Sequence, residues 1–121
     1  MGLLDRFTSR SAYRDVDPVG AEELIAAGAL LLDVRRDHEW SAGHAPGATH
    51  LPLPHVAQRA PELVGGRTVV TVCRSGGRSS VAAGVLAEQG HDVVNLRGGM
   101  AAWARTGRPV LTDHGDTGTV V

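Results

Sequence analysis

Thr68–Val69–Val70–Thr71–Val72 is a β-branched, largely apolar run that leads directly into Cys73, the only cysteine of the chain. Such a run reads as a buried strand. It ends where the chain has to turn, through Cys73–Arg74–Ser75–Gly76–Gly77–Arg78, before a helical pattern from about Ser79 that closes at Gly90. Gly76 and Gly77 open dihedrals closed to other residues, so several backbone N–H groups can converge on one point. The N-terminus of the following helix adds partial positive charge in the same direction, and Arg74 and Arg78 add two full charges. A thiol in such surroundings ionises readily. The local reading is an anion-cradling loop that holds a thiolate.

The rest of the chain alternates strand and helix patterns around this stretch. Residues 12–16 fit a short edge strand. Asp17 as N-cap and Pro18 at the first helical position predict a helix over 18–27, with Val19, Leu24 and Ile25 inward, Glu22 and Glu23 outward, and Gly28 as the stop. Ala29–Leu30–Leu31–Leu32–Asp33–Val34 is an uninterrupted apolar run with one acid, the mark of a parallel strand covered on both faces. A single helical turn over 36–40, a short strand over 48–51 and a short helix over 54–60 ended by Pro61 come next. A strand over 92–96, a break at Gly98–Gly99 and a helix over 100–105 complete the domain. We expect an arm over 1–11, one domain over 12–110, and a polar, disordered tail over 111–121.

Strands alternating with helices imply a three-layer α/β domain with a parallel sheet wrapped on both sides. Ligands of such sheets collect at the carboxyl ends of strands. Cys73 stands at one such end and Asp33 at another, so the site is expected to draw on both.

At 121 residues the chain can bury one core without covalent staples. Its single cysteine excludes an intramolecular disulfide and gives no sign of an oxidising compartment. The 12 basic residues, all Arg, nearly balance 13 acidic ones, which points away from nucleic acid and membrane surfaces as partners. No apolar run is long enough to span a bilayer. The segment Met1–Phe7 carries an early acid and lacks a signal-peptide core, and Arg6 fails the myristoylation pattern. A soluble cytoplasmic protein is expected, and the Gly- and Ala-rich, Lys-free composition suggests a bacterial source. The six histidines show no ligand spacing, so no metal site is read from them.

Three separated stretches carry a family resemblance. The first runs from Leu32–Asp33–Val34–Arg35 through Glu39–Trp40, Gly43–His44 and Gly47–Ala48 to Pro52–Leu53. The second is Cys73–Arg74–Ser75–Gly76–Gly77–Arg78–Ser79. The third is Asn95–Leu96–Arg97–Gly98–Gly99–Met100, closing at Trp103. In this order and spacing they resemble the rhodanese (thiosulfate sulfurtransferase) homology domain over about residues 16–110, with Ala45 and His50 as minor departures.

The resemblance implies a five-stranded parallel sheet flanked by helices, with Cys73 as the sulfur-carrying cysteine. It implies that the backbone of Arg74, Ser75, Gly76, Gly77, Arg78 and Ser79 surrounds a Cys73 persulfide, and that Arg74 and Arg78 orient a dianionic donor such as thiosulfate. The implied reaction is double displacement to cyanide or a thiol, with no cofactor and with small sulfur anions, low-molecular-weight persulfides or a thiol protein as partners.

Plainer readings exist for each residue. Cys73 could be a buried structural cysteine, and Arg74 and Arg78 solvated surface charges. Asp33 and Arg35 read as structural support, because a buried carboxylate must be paired, with an Arg of the loop or of its own strand end. Arg35 and Glu39, four apart, could bridge on one turn. Trp40 and Trp103 read as packing, and His44 as a cap on its loop.

Three rival functions follow. Dual-specificity cell-cycle phosphatases resemble this fold but have a longer ring between Cys and Arg, wide enough for phosphate. Here only Arg74, Ser75, Gly76 and Gly77 intervene before Arg78, a ring that suits a single sulfur better. A non-catalytic binding module is argued against by the retained Cys73. A persulfide relay between proteins shares all the chemistry, and with no second cysteine any resolving thiol must come from another molecule.

Overall fold

The structure, a computed structural model, describes residues 13–121; the expected arm over 1–11 and Ala12 lie outside them. Five strands form one sheet: β1 (Arg14–Val16), β2 (Leu30–Asp33), β3 (Thr49–His50), β4 (Val69–Val72) and β5 (Val93–Leu96). Their spatial order is β1-β5-β4-β2-β3 and every pairing is parallel. Helices α1 (Pro18–Ala26), α2 (Asp37–Ala42), α3 (Val56–Val64), α4 (Gly77–Glu88) and α5 (Gly99–Arg105) connect them, with a 3₁₀ turn over Leu53–His55.

Period-two alternation divides the strand side chains between two cores. Leu30, Leu32, Val69, Cys73 and Val93 face Val56, Ala60 and Val64 of α3 and Ala82, Ala83 and Leu86 of α4. Leu31, Val70, Val72, Val94 and Leu96 face Ala21 of α1 and Met100 and Trp103 of α5. The sheet is thus covered on both faces, the expected three layers. β2, β4 and β5 are buried at every position, which is why their sequences are mainly apolar, with Asp33, Thr71 and Asn95 as the buried polar members.

The strand order also sets the place of the site. From β2 the chain moves outward to the edge at β3, then returns to β4 on the opposite side of β2 and moves outward to β5. The crevice beyond the carboxyl ends of β2 and β4 is therefore the topological switch point, where open α/β sheets hold their ligands.

Several expectations need correction. Val19 is 53% exposed, and Ala21 supplies the buried contact of α1 instead. Pro61 lies inside α3 rather than ending it. A proline cannot donate to the carbonyl four residues back, here that of Ala57, and that oxygen accepts from Gln89 Nε2 at 2.7 Å. A side chain beyond the end of α4 thus satisfies the group that proline leaves open.

The tail over 111–121, expected to be disordered, is hydrogen-bonded to the domain. Leu111 pairs with His44 and with Thr117, Gly118 N–H donates to Val110 O at 2.8 Å and Thr119 N–H to Ala42 O at 2.9 Å. Gly43 and Gly118 allow the close approach: a Cβ on Gly43 would lie 2.7 Å from Thr119 N, and one on Gly118 2.6 Å from Ala42 O. Val120 packs against the α1–α5 core.

Candidate active site

Cys73 follows β4 and is 1% exposed. Its Sγ accepts hydrogen bonds from Gly76 N–H at 3.1 Å and Ser79 Oγ at 3.3 Å. Burial alone would hold the thiol neutral. That effect is outweighed by the Ser79 hydroxyl and the backbone amides of Ser79, Gly76 and Ser75, so the Cys73 pKa is lowered from its ordinary value. α4 begins at Gly77, two residues earlier than its sequence pattern, and its N-terminus adds to the same field.

The loop amides are turned inward by the helix next door. Met100 N–H donates to Cys73 O at 2.8 Å and Ala101 N–H to Arg74 O at 3.0 Å, so both carbonyls point at α5. Because a trans peptide is planar, with N–H opposite to C=O, the Arg74 and Ser75 N–H groups point the other way. This docking needs Gly98 and Gly99, whose φ values are +78° and +59°. A Cβ on Gly99 would also strike the Cys73 carbonyl oxygen and lie 2.6 Å from Arg74 O. Within the loop, Gly76 takes φ +115°, closed to other residues. Gly77 does not: its φ is negative, and a Cβ there would meet nothing within 4 Å. The expectation that both loop glycines are required holds only for Gly76.

The two loop arginines have distinct partners. Arg78 grips Glu39 of α2 through two parallel hydrogen bonds, Nη1 to Oε1 at 2.7 Å and Nη2 to Oε2 at 2.8 Å. The Arg78 guanidinium lowers the Glu39 pKa to about 2, against the opposing effect of burial, with further help from the Arg36 N–H. Arg74 is exposed and its Nε donates to Val121 O at 2.9 Å. Arg78 therefore faces an acid of the protein itself, and Arg74 is held by the tail.

Asp33 and Arg35 stand at the end of β2, next to Val72 of β4. Both are fully buried. Arg35 Nε lies 3.0 and 3.1 Å from the Asp33 oxygens, Nη2 donates to Oδ2 at 2.8 Å, and Nη2 also reaches Gly43 O at 2.8 Å. The structure corrects the expected Arg35–Glu39 bridge: Arg35 pairs with Asp33 and Glu39 with Arg78. The buried Asp33–Arg35 pair ties the end of β2 to Gly43, just past α2. His44, next in the chain, shares a hydrogen bond with Trp40 O at 2.8 Å and stacks on the Trp40 ring at 3.5 Å. Trp103 is packing, as expected, with its Nε1 donating to Pro109 O.

Glu39 was the site residue least visible beforehand. A signal existed: a cation at a helix N-terminus opposes the dipole, so Arg78 required an acid, but nothing in the spacing named one 39 residues away. Among the described residues, no group of three or more His, Cys, Asp or Glu could hold a metal ion, and no helix is long and apolar enough to cross a membrane.

Residues 17–106 match the family described as Rhodanese-like domain. The chain belongs to that family. Of the curated relatives, a sulfurtransferase of Allochromatium vinosum is 44% identical over 87 residues, which is 71% of this chain and 81% of the relative. The thiosulfate sulfurtransferase GlpE of Pseudomonas fluorescens is 34% identical over 110 residues, covering 88% and 98%. The same kind of domain occurs within a longer chain, since this sequence spans 49% of an HTH-type transcriptional regulator of Mycobacterium tuberculosis, at 36% identity over 110 residues. Among solved structures, a rhodanese-related protein from Thermoplasma volcanium superposes with a TM-score of 0.78 at 27% identity, covering 84% of this chain and all of that one.

Proposed function

We propose that this rhodanese-like domain is a sulfurtransferase that carries a sulfane sulfur as a persulfide on Cys73. The observation that carries the reading is the Cys73 sulfur itself, held below its ordinary pKa by Ser79 and by the Gly76 and Ser75 amides, the latter turned inward by α5. Relatives named sulfurtransferase and thiosulfate sulfurtransferase support it.

In the first step the Cys73 thiolate attacks the outer sulfur of thiosulfate. A bond forms between Sγ and that sulfur. The sulfur–sulfur bond of the donor breaks, and sulfite leaves with its electron pair. The outer sulfur of Cys73–S–S⁻ then lies in the field of the inward amides and the α4 N-terminus, which stabilise its negative charge without a general base. In the second step cyanide or a thiolate attacks that outer sulfur, and the pair of the broken bond returns to Sγ.

Of the two arginines, Arg74 is the one open to the donor, because Arg78 already faces Glu39. Arg74 uses Nε on Val121 O, which leaves its terminal nitrogens without a partner among the described residues. We assign it the orientation of the donor's sulfonate, and Arg78 the positioning of the loop against α2.

The test is the mass of the protein after incubation with thiosulfate. Gain of one sulfur atom on Cys73, lost on adding cyanide with release of thiocyanate and absent in Cys73→Ser, is expected. No mass gain with any donor, or turnover surviving Cys73→Ser, would overturn the reading. Release of phosphate from an aryl phosphate without thiocyanate formation would favour phosphatase chemistry instead.

A further inference from the structure

Thr71 is a polar residue that the sulfur chemistry described above leaves without a role. It is fully buried in β4, where its companions are Val69, Val70 and Val72. Period-two alternation puts its side chain on the face of Val69 and Cys73, the face that α4 covers. A valine would fill the same space there without burying a hydroxyl.

Three oxygens surround that hydroxyl: Ser79 O at 3.0 Å, Asn95 Oδ1 at 3.3 Å and Val94 O at 3.4 Å. A hydroxyl has one proton to donate, and Ser79 O is the nearest acceptor. The Asn95 amide is itself drawn toward the sheet edge, where Nδ2 donates to Asp15 Oδ1 at 3.1 Å. The bond to Ser79 O joins β4 to the first turn of α4. Ser79 is thus engaged twice along one line of side chains. Its carbonyl takes the Thr71 hydroxyl, and two residues further along that line its own Oγ stands 3.3 Å from Cys73 Sγ.

We propose that Thr71 is a positioning residue of the sulfur site, tying the first turn of α4 to β4 and so keeping the Ser79 hydroxyl on Cys73 Sγ. The proposal rests on the sulfur-transfer reading for its consequence in turnover, while its effect on the thiolate stands apart from that reading. Hydrogen bonds weaken steeply as they bend. With the tie cut, the Ser79 proton is given more often to Gly76 O, also 3.3 Å away, and less often to the sulfur. The charges around the loop stay in place: Arg78 on Glu39, Arg35 on Asp33, and Arg74 on Val121 O.

The test is the pH profile of iodoacetamide alkylation at Cys73. Thr71→Val should lower the rate at low pH by about twofold to fivefold, a part of what the Ser79 hydroxyl supplies, and should match the parent at high pH. Thr71→Ser, which restores the hydroxyl, should return the parent profile. In a Ser79→Ala background Thr71→Val should change nothing further, because the group it positions is gone. With thiosulfate as donor, kcat/KM should fall at low pH by a similar factor. A folded Thr71→Val protein with the parent profile would overturn the proposal, as would an equal shift in the Ser79→Ala background. Thr71→Ala lacks the same hydroxyl and carries the same test if Thr71→Val does not fold. A shifted alkylation profile in a protein that never gains sulfur would overturn the sulfur-transfer reading and leave the positioning role standing.

Discussion

Ser79→Ala removes one hydroxyl from a site that is otherwise backbone. The residue is fully buried, and its Oγ stands 3.3 Å from both Cys73 Sγ and Gly76 O. A hydroxyl has one proton, so it donates to the carbonyl while the thiol is neutral and to the sulfur once the thiolate forms. A hydrogen bond to a charged group is worth about 1.5–3 kcal/mol and a neutral one about 0.5–1.5. The net preference for the thiolate is then about 1–2 kcal/mol, a factor of about 5–30 in its population at a pH below the thiol pKa.

Because Cys73 is the only cysteine, the rate of alkylation by iodoacetamide reports this sulfur without interference. Its pH profile in Ser79→Ala should move to higher pH. The loss of rate at low pH should be smaller than the loss of thiolate, because a more basic thiolate is intrinsically more nucleophilic, with a Brønsted slope of about 0.4–0.5. At high pH the variant should match or exceed the parent. Superimposable profiles from a folded variant would refute the assignment, leaving the loop amides and the helix terminus as the whole source of the charge stabilisation.

Other consequences can be checked by thermal melting. Glu39→Gln removes a carboxylate whose pKa falls from 4.5 to about 2 on folding, and should cost up to about 3 kcal/mol at neutral pH. A depressed carboxylate pKa stabilises the fold fully above pH 4.5 and loses that effect as pH falls toward 2, so the melting gap between parent and variant should close over that window; a constant gap would contradict the ion pair. Gly99→Ala, with φ +59° and a Cβ against the Cys73 and Arg74 carbonyls, should lose more than about 3 kcal/mol, whereas Gly77→Ala, in open space at a helix start, should melt at or above the parent temperature. Thr71→Val keeps the shape but removes the bond from Thr71 Oγ1 to Ser79 O at 3.0 Å, and should cost about 1–3 kcal/mol, read as a lower midpoint in urea.

The sheet was legible because β2, β4 and β5 are buried on both faces, which leaves them mainly apolar, broken only by the hydrogen-bonded Asp33, Thr71 and Asn95. The Cys73 loop was legible because its cysteine, glycines and arginines are contiguous. What escaped depends on partners remote in sequence. Pro61 is tolerated in α3 because Gln89, beyond the end of another helix, takes up the Ala57 carbonyl. Arg78 and Glu39 meet only after the sheet has brought α2 and α4 together. The tail was misread because its order comes from backbone hydrogen bonds to Ala42, His44 and Val110, which leave no trace in composition. Helix α1 was placed correctly, but Val19 was assigned to the wrong side because a nine-residue helix offers too few apolar positions to fix its rotation.

The tail crossing at Gly43 and Gly118 has a consequence for how this domain can be joined to others. Its path ends with Val121 on Arg74, one residue from the cysteine. Any polypeptide appended after Val121 would therefore emerge at the rim of the Cys73 loop rather than on the far side of the sheet. A module attached there by a short flexible linker would meet the sulfur at millimolar effective concentration, without evolving any docking surface of its own.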